Sequence, residues 1–262
     1  MRVGNNRVVI TEPFQTRMLR MIWQLSGRRQ KLDRYFSEFL KYRKYLPECD
    51  ATQVVPNINN TEVRIRECPL GAWSTPLGDI FIVIKSALGF QSKRILELGS
   101  FRGDTARLLA ENTSEDVTVC AVDIDERHGV SYAGKPIARK IIRKTGRISG
   151  DLFADDAKYD LIFVDANHDF ASAMNDTEVA FKVLAEHGVI LWHDYANDPY
   201  FNGLNGVPEA LNQFFKTHAL YSIRGTRLAI YSNYPGWETA TLPARVQQIT
   251  AKSVWEEEQI KG

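Results

Sequence analysis

From Lys93 to Ser232, short apolar runs alternate with stretches of helical spacing. Ile95–Leu98, Val117–Val122, Arg147–Ser149, Tyr159–Val164 and Val189–Trp192 read as five successive strands. Thr105–Glu111, Lys135–Lys144, Ala171–Leu184 and Val207–Thr217 read as the helices among and after them. A strand, a crossover helix and a second strand return the chain to the sheet in the same direction. The alternation therefore predicts an α/β fold whose sheet is mostly parallel and covered by helices on both faces. Leu220–Arg224 and Arg227–Ser232 are joined only by Gly225 and Thr226, so the seventh and last strand must run antiparallel.

The segments outside this block are less regular. Residues 11–46 have apolar positions at helical spacing, with Ser26 and Gly27 as a break. Between Arg17 and Lys44 nine Lys/Arg stand against two acids, a basic face that suits a solvated helical lid or dimer arm. A contact with an acidic partner or a membrane surface is the sharper reading. These helices either pair two protomers as a homodimer or pack on their own domain. Pro47–Pro69 reads as irregular, and Thr75–Pro76 reads as an N-cap followed by proline at the first helical position. The expected division is a helical extension over 1–73, a main domain over 74–235, and a loop and helix over 236–262. Net charge is +1, which argues against a nucleic-acid binder. The longest apolar run, Ile80–Ile84, is too short to span a bilayer. Three cysteines without C-x-x-C spacing, and no signal pattern at the start, suggest reduced thiols and a cytoplasmic setting.

Open α/β sheets bind ligands beyond the carboxyl ends of their strands. The first strand ends in Glu97-Leu98-Gly99-Ser100-Phe101-Arg102-Gly103-Asp104-Thr105. Its glycines are four apart, so it is not the G-x-G-x-x-G of dinucleotide folds. Such a turn still brings backbone N–H groups and a helix start up to a ligand. The second strand ends at Asp123, an acid placed to accept both hydroxyls of a ribose. The fourth ends Asp165-Ala166-Asn167-His168-Asp169 and the fifth His193-Asp194-Tyr195. Two Asp/His clusters at neighbouring strand ends suit either a divalent cation or metal-free acid–base catalysis.

Together these motifs resemble class I S-adenosylmethionine (SAM) dependent methyltransferases, whose sheet is Rossmann-like with an antiparallel last strand. The nearest branch resembles the catechol and caffeoyl-CoA type O-methyltransferases. The His-Asp-Tyr loop and Gly206-Val207 are similar to small bacterial methyltransferases of polysaccharide and natural-product clusters. The resemblance covers residues 74–232 and implies SAM as cofactor. It places Glu97, Gly99, Ser100, Phe101, Gly103 and Thr105 around the cofactor, Asp123 on its ribose, Asp151 at its adenine, and Asp165 beside it. It implies a divalent metal, Mg²⁺ first, on Asp165, His193 and Asp194. His168 falls where the family has a catalytic Lys, so His168 and Asp165 become the catalytic pair. A His base works near neutral pH without a strongly shifted pKa.

The activity expected is O-methylation of a small-molecule or sugar hydroxyl, with Trp73, Trp192, Tyr195, Tyr200 and Phe201 as candidates to line the acceptor. The loop Asn197–Asn205 and the N-terminal helices are candidates to cover it. A catalytically silent SAM-binding scaffold is the rival from another class, and it gives no reason for so many polar groups at two strand ends. An NAD(P)-dependent oxidoreductase is disfavoured by the glycine spacing. A metal-dependent hydrolase leaves Glu97, the glycine turn and Asp123 unexplained.

Overall fold

The strands form where apolar side chains alternate to two covered faces. In the central strand Tyr159–Val164, Leu161 and Phe163 pack into one core layer and Ile162 and Val164 into the other. The computed structural model describes residues 46–195 and 205–237 except 70 and 72, together with 18, 21, 22 and 25. In chain order the strands are β1 (Glu48–Cys49), β2 (Arg94–Leu98), β3 (Thr118–Asp123), β4 (Ile141–Thr145), β5 (Tyr159–Val164), β6 (Leu184–Trp192), β7 (Tyr221–Ile223) and β8 (Ala229–Ser232). The α-helices are α1 (Ala51–Val54), α2 (Leu77–Gly89), α3 (Asp104–Asn112), α4 (Phe170–Val183) and α5 (Val207–Phe214).

The eight strands form one sheet in the order β1-β7-β8-β6-β5-β2-β3-β4. β8 runs antiparallel to both neighbours, as the short hairpin requires, and the remaining pairs are parallel. The sheet has one strand more than the sequence suggested. Glu48–Cys49 pairs with Ser222–Ile223 at one edge, and two residues carry no readable periodicity. Helices α2 and α3 cover one face, where Ile80, Val83, Ile84 and Ala87 present an i, i+3, i+4, i+7 stripe. Helices α4 and α5 cover the other.

Two sequence readings need correction. Lys135–Lys144 is not a helix: Pro136–Lys140 is a 3-10 turn and Ile141–Thr145 is the edge strand β4. An edge strand keeps only part of its surface covered, so Arg143, Lys144 and the exposed Ile142 blur the period-two signal. Arg147–Ser149 is then a loop rather than a strand. Thr75 does not cap α2 either, because Pro76 occupies the N-cap and the threonine side chain bonds elsewhere. Met18, Met21, Ile22 and Leu25 are helical and exposed. The rest of the helical reading over 11–45, the covering loop before Asn205, and Tyr200 and Phe201 lie outside the described residues. So does the C-terminal segment beyond Trp237. Among the described residues no helix is long and apolar enough to cross a membrane. The three cysteines are unpaired.

The register levels the carboxyl ends that matter. Leu98 pairs with both Val122 and Val164, and Val164 pairs with Trp192. Asp165 N donates to Leu98 O at 2.8 Å and His193 N to Val164 O at 3.0 Å, which carries the ladder one residue past the strands. Gly99, Asp123, Asp165 and His193 therefore emerge side by side. β2 sits between β3 and β5, where the strand order reverses, and ligands of open α/β sheets bind at that point.

Candidate functional site

A cleft of about 800 Å³ opens at these strand ends. The turn after β2 forms its floor. Gly99 has φ +91°, and a Cβ there would lie 2.2 Å from Asp165 O and 2.4 Å from Ala166 Cα. Only glycine lets the β2 and β5 ends approach so closely. Ser100 O accepts from Gly103 N at 2.6 Å, and Gly103, at φ +80°, starts α3. Phe101 is held at φ +43° by its N–H, which donates to Asp123 Oδ2 at 2.7 Å. Asp123 Oδ1 accepts from Asp125 N at 2.9 Å. Each carboxylate oxygen has a second lone pair for a ligand hydroxyl.

Glu97 and Ser100 line the cleft and are almost fully buried, yet Glu97 Oε2 and Ser100 Oγ have no hydrogen-bond partner. Burial, reinforced by Asp165, Asp123 and Asp104, pushes the Glu97 carboxyl well above its usual range. A buried acid among acids is costly unless a cationic donor arrives. SAM carries a sulfonium and an ammonium group, so this set of residues fits it.

The strand ends of β5 and β6 build a second cluster. His168 Nε2 lies 3.4 Å from Asp165 Oδ1 and 3.1 Å from Asp194 Oδ2. His193 sits beneath, with Nδ1 3.2 Å from Asp165 Oδ1 and Nε2 3.1 Å from Asp79 Oδ2. Asp79 belongs to the first turn of α2 and also accepts from Arg227 N at 3.2 Å. Thr75 Oγ1 donates to Asp165 Oδ2 at 2.7 Å. Desolvation opposes the charged form of His193, but Asp165, Asp194 and Asp79 outweigh it and push its pKa up to about 12. Desolvation also opposes ionised Asp165, and the two imidazoles hold its pKa well below the carboxylate range all the same. His168 loses some basicity to desolvation and regains more from Asp165 and Asp194, so it titrates above the ordinary imidazole value.

This geometry redistributes the expected roles. Asp165, His168 and Asp194 offer ligand atoms within 4.8 Å of one another, and His193 Nδ1 lies 3.2 Å from Asp165 and 3.4 Å from Asp194. Both nitrogens of His193 face carboxylates, Nε2 on Asp79 and Nδ1 between Asp165 and Asp194. Glu97, Gly99, Ser100, Phe101, Thr105, Asp123, Asp165 and His168 line the cleft; Gly103 does not, and lies at the start of α3 against Tyr132 and Gly129. Asp151 does not line the cleft either. It lies in the 3-10 turn Gly150–Phe153 and is exposed. Trp192 and Tyr195 are core residues, and the indole Nε1 donates to Thr177 Oγ1 at 3.0 Å. Trp73 is 84% exposed and stands at the cleft rim. Asp79 was missed, although an acid on the apolar stripe of α2 is itself a signal.

Residues 96–195 match the family model described as a methyltransferase domain. No curated protein matches the chain. Among solved structures, it is similar to the O-methyltransferase TomG of Streptomyces achromogenes, determined with SAM: 17% identity, 79% of this chain and 99% of that one, TM-score 0.50. The O-methyltransferase of Bacillus cereus, determined with S-adenosylhomocysteine (SAH), gives 14% identity over 77% and 99%, TM-score 0.51. The SAH-bound methyltransferase PaMTH1 of Podospora anserina gives 18% identity over 79% and 96%, TM-score 0.50. At these identities the likeness establishes the fold.

Proposed function

We propose that this chain transfers a methyl group from SAM to a hydroxyl of a small molecule or sugar, a reading supported by the match of residues 96–195 to the family model described as a methyltransferase domain. The observation that carries the reading is the imidazole of His168, held by two carboxylates on the wall of the cleft that Glu97, Gly99 and Asp123 build. Asp123 would hold the ribose hydroxyls, and Glu97, Ser100 and the Gly99 turn the amino-acid end. Bound there, SAM supplies an electrophilic methyl group and leaves as SAH.

The protein's own part is proton removal and positioning. His168 Nε2 takes the proton of the acceptor hydroxyl, and the imidazolium so formed is stabilised by Asp165 and Asp194. His193 fixes both carboxylates from below, and Thr75 fixes Asp165 from the side. Most of the rate gain comes from holding oxygen and methyl in line at near-attack distance. A base poised above the ordinary imidazole value suits a hydroxyl, and TomG and the Bacillus cereus enzyme, both named O-methyltransferases, support oxygen as the acceptor atom.

A second reading has its own observation. Asp165, His168 and Asp194 are close enough to hold one divalent cation, which would acidify the acceptor hydroxyl. It competes for the same His168 nitrogen. We place the cofactor-binding domain at 74–235, with 1–73 before it and 236–262 after it; strand β1 ties part of the first segment into the sheet.

Calorimetric titration with SAH, with and without EDTA, tests the cofactor. Micromolar binding is expected, and no binding to folded protein overturns the proposal. His168→Gln should keep SAH binding and lose methyl transfer to a panel of phenols and sugars by at least about 100-fold. Mn²⁺ titration followed by electron paramagnetic resonance separates the two readings: tight binding lost in His168→Gln favours the cation.

A further inference from the structure

Asp176 is an acid on a buried helix face that neither the packing nor the proposed chemistry explains. It lies two turns into α4, on the stripe shared by Ala173, Met174 and Ala180, and is 4% exposed. Its Oδ1 accepts from Asn175 Nδ2 at 2.9 Å. Its Oδ2 has no hydrogen-bond partner among the described residues, and the side chain lines the cleft. Asn175 Nδ2 also donates to Ile148 O at 3.0 Å, which ties α4 to the loop after β4 and holds the carboxylate at the cleft wall.

The surroundings describe the missing partner. On the way from Asp123 to Asp176 the cleft is lined by Ile124, which is 73% exposed, and by Gly146 and Ile148. The exposed side chain of Ile124 and the half-buried one of Ile148 suit the faces of a flat ring, and a buried carboxylate suits an N–H donor on its edge. Burial already pushes the Asp176 carboxyl up to about 6, so an incoming donor would recover part of that cost. Asp151, the acid that position along the chain suggested for this role, is exposed and does not line the cleft.

We propose that Asp176 selects a 6-aminopurine, its Oδ2 accepting the exocyclic amine of the adenine ring of SAM. This rests on the SAM reading above. A 6-oxo purine presents a carbonyl oxygen to the same carboxylate and is repelled.

The test is calorimetric titration of the full chain with SAH and with its 6-oxo analogue, S-inosylhomocysteine, at pH 8. Wild type should prefer SAH by at least about tenfold, the worth of a hydrogen bond to a charged acceptor. Asp176→Asn should weaken SAH by about tenfold and abolish or reverse the preference, because its amide N–H then faces the ring, while Asp151→Asn leaves both affinities unchanged. The comparison of the two ligands on wild type needs no variant, so a misfolded Asp176→Asn does not block it. Equal binding of both ligands by wild type overturns the inference and leaves the SAM reading standing. So does an Asp176→Asn protein, folded by its melting curve, with unchanged SAH affinity. Failure of wild type to bind either ligand overturns both.

Discussion

Asp176→Asn should make the protein more stable, by an amount that depends on pH. Burial raises the carboxyl from its ordinary 3.8 to about 6. With 4% exposure, solvent screens little of this cost. A shift of roughly two units at about 1.4 kcal/mol each amounts to about 3 kcal/mol. The sign follows from proton binding. The folded state holds the Asp176 proton more tightly than the unfolded chain does, so its stability is complete below pH about 4 and is lost as pH rises through about 6. Asparagine carries no charge at any pH and can keep the bond from Asn175 through its own carbonyl. Paired melting curves from pH 4 to pH 8 should therefore coincide at the acid end. By pH 8 they should separate by roughly 6–12 °C, the shift about 3 kcal/mol gives a domain of this size. Other titrating groups are common to both proteins and cancel in the difference. Saturating SAH should narrow the gap, since only the carboxylate gains a donor. A difference that stays constant from pH 4 to pH 8, or a less stable variant at pH 8, would refute the reasoning.

Gly99→Ala places a methyl 2.2 Å from the Asp165 carbonyl oxygen on a backbone at φ +91°, and should cost about 3 kcal/mol or more in urea unfolding and abolish SAH binding. His193→Ala leaves Asp79, Asp165 and Asp194 without their shared cation and should cost about 3–5 kcal/mol at pH 7. Asp165 is ionised far below its unfolded value, so that loss should shrink as pH falls below about 4. The rate of methyl transfer should rise with pH through a value above the ordinary imidazole 6.5, and Asp194→Asn should move that rise to lower pH in a pH–rate profile. An unmoved profile would remove Asp194 from the neighbourhood of the base.

Much of the fold was legible because its signals are local. Leu161–Val164 and Val189–Trp192 are apolar on both faces, as strands between two helical layers must be, and the acids and histidines stand one to four residues beyond them. Gly99 announced a close approach, and its partner is the backbone of Asp165 and Ala166. Strand β4 was not legible. One of its edges is unpaired, and its charged and exposed positions imitate a helix. That misplacement put Asp151 directly after a strand, where the structure has a loop and a 3-10 turn.

The sequence by itself determined the parallel sheet, its antiparallel last strand, and the strand ends that carry Gly99, Asp123, Asp165, His168, His193 and Asp194. Hydrophobic period and turn chemistry act over a few residues, and those are readable one after another along the chain. Only the tertiary structure decided what each polar group faces. Asp79 meets His193 across 114 residues, and that contact turns one histidine into a buried brace while the other stays open to the cleft. The direction of a ring nitrogen or a carboxylate oxygen is set by packing between elements distant in the chain, and spacing along the sequence carries no record of it.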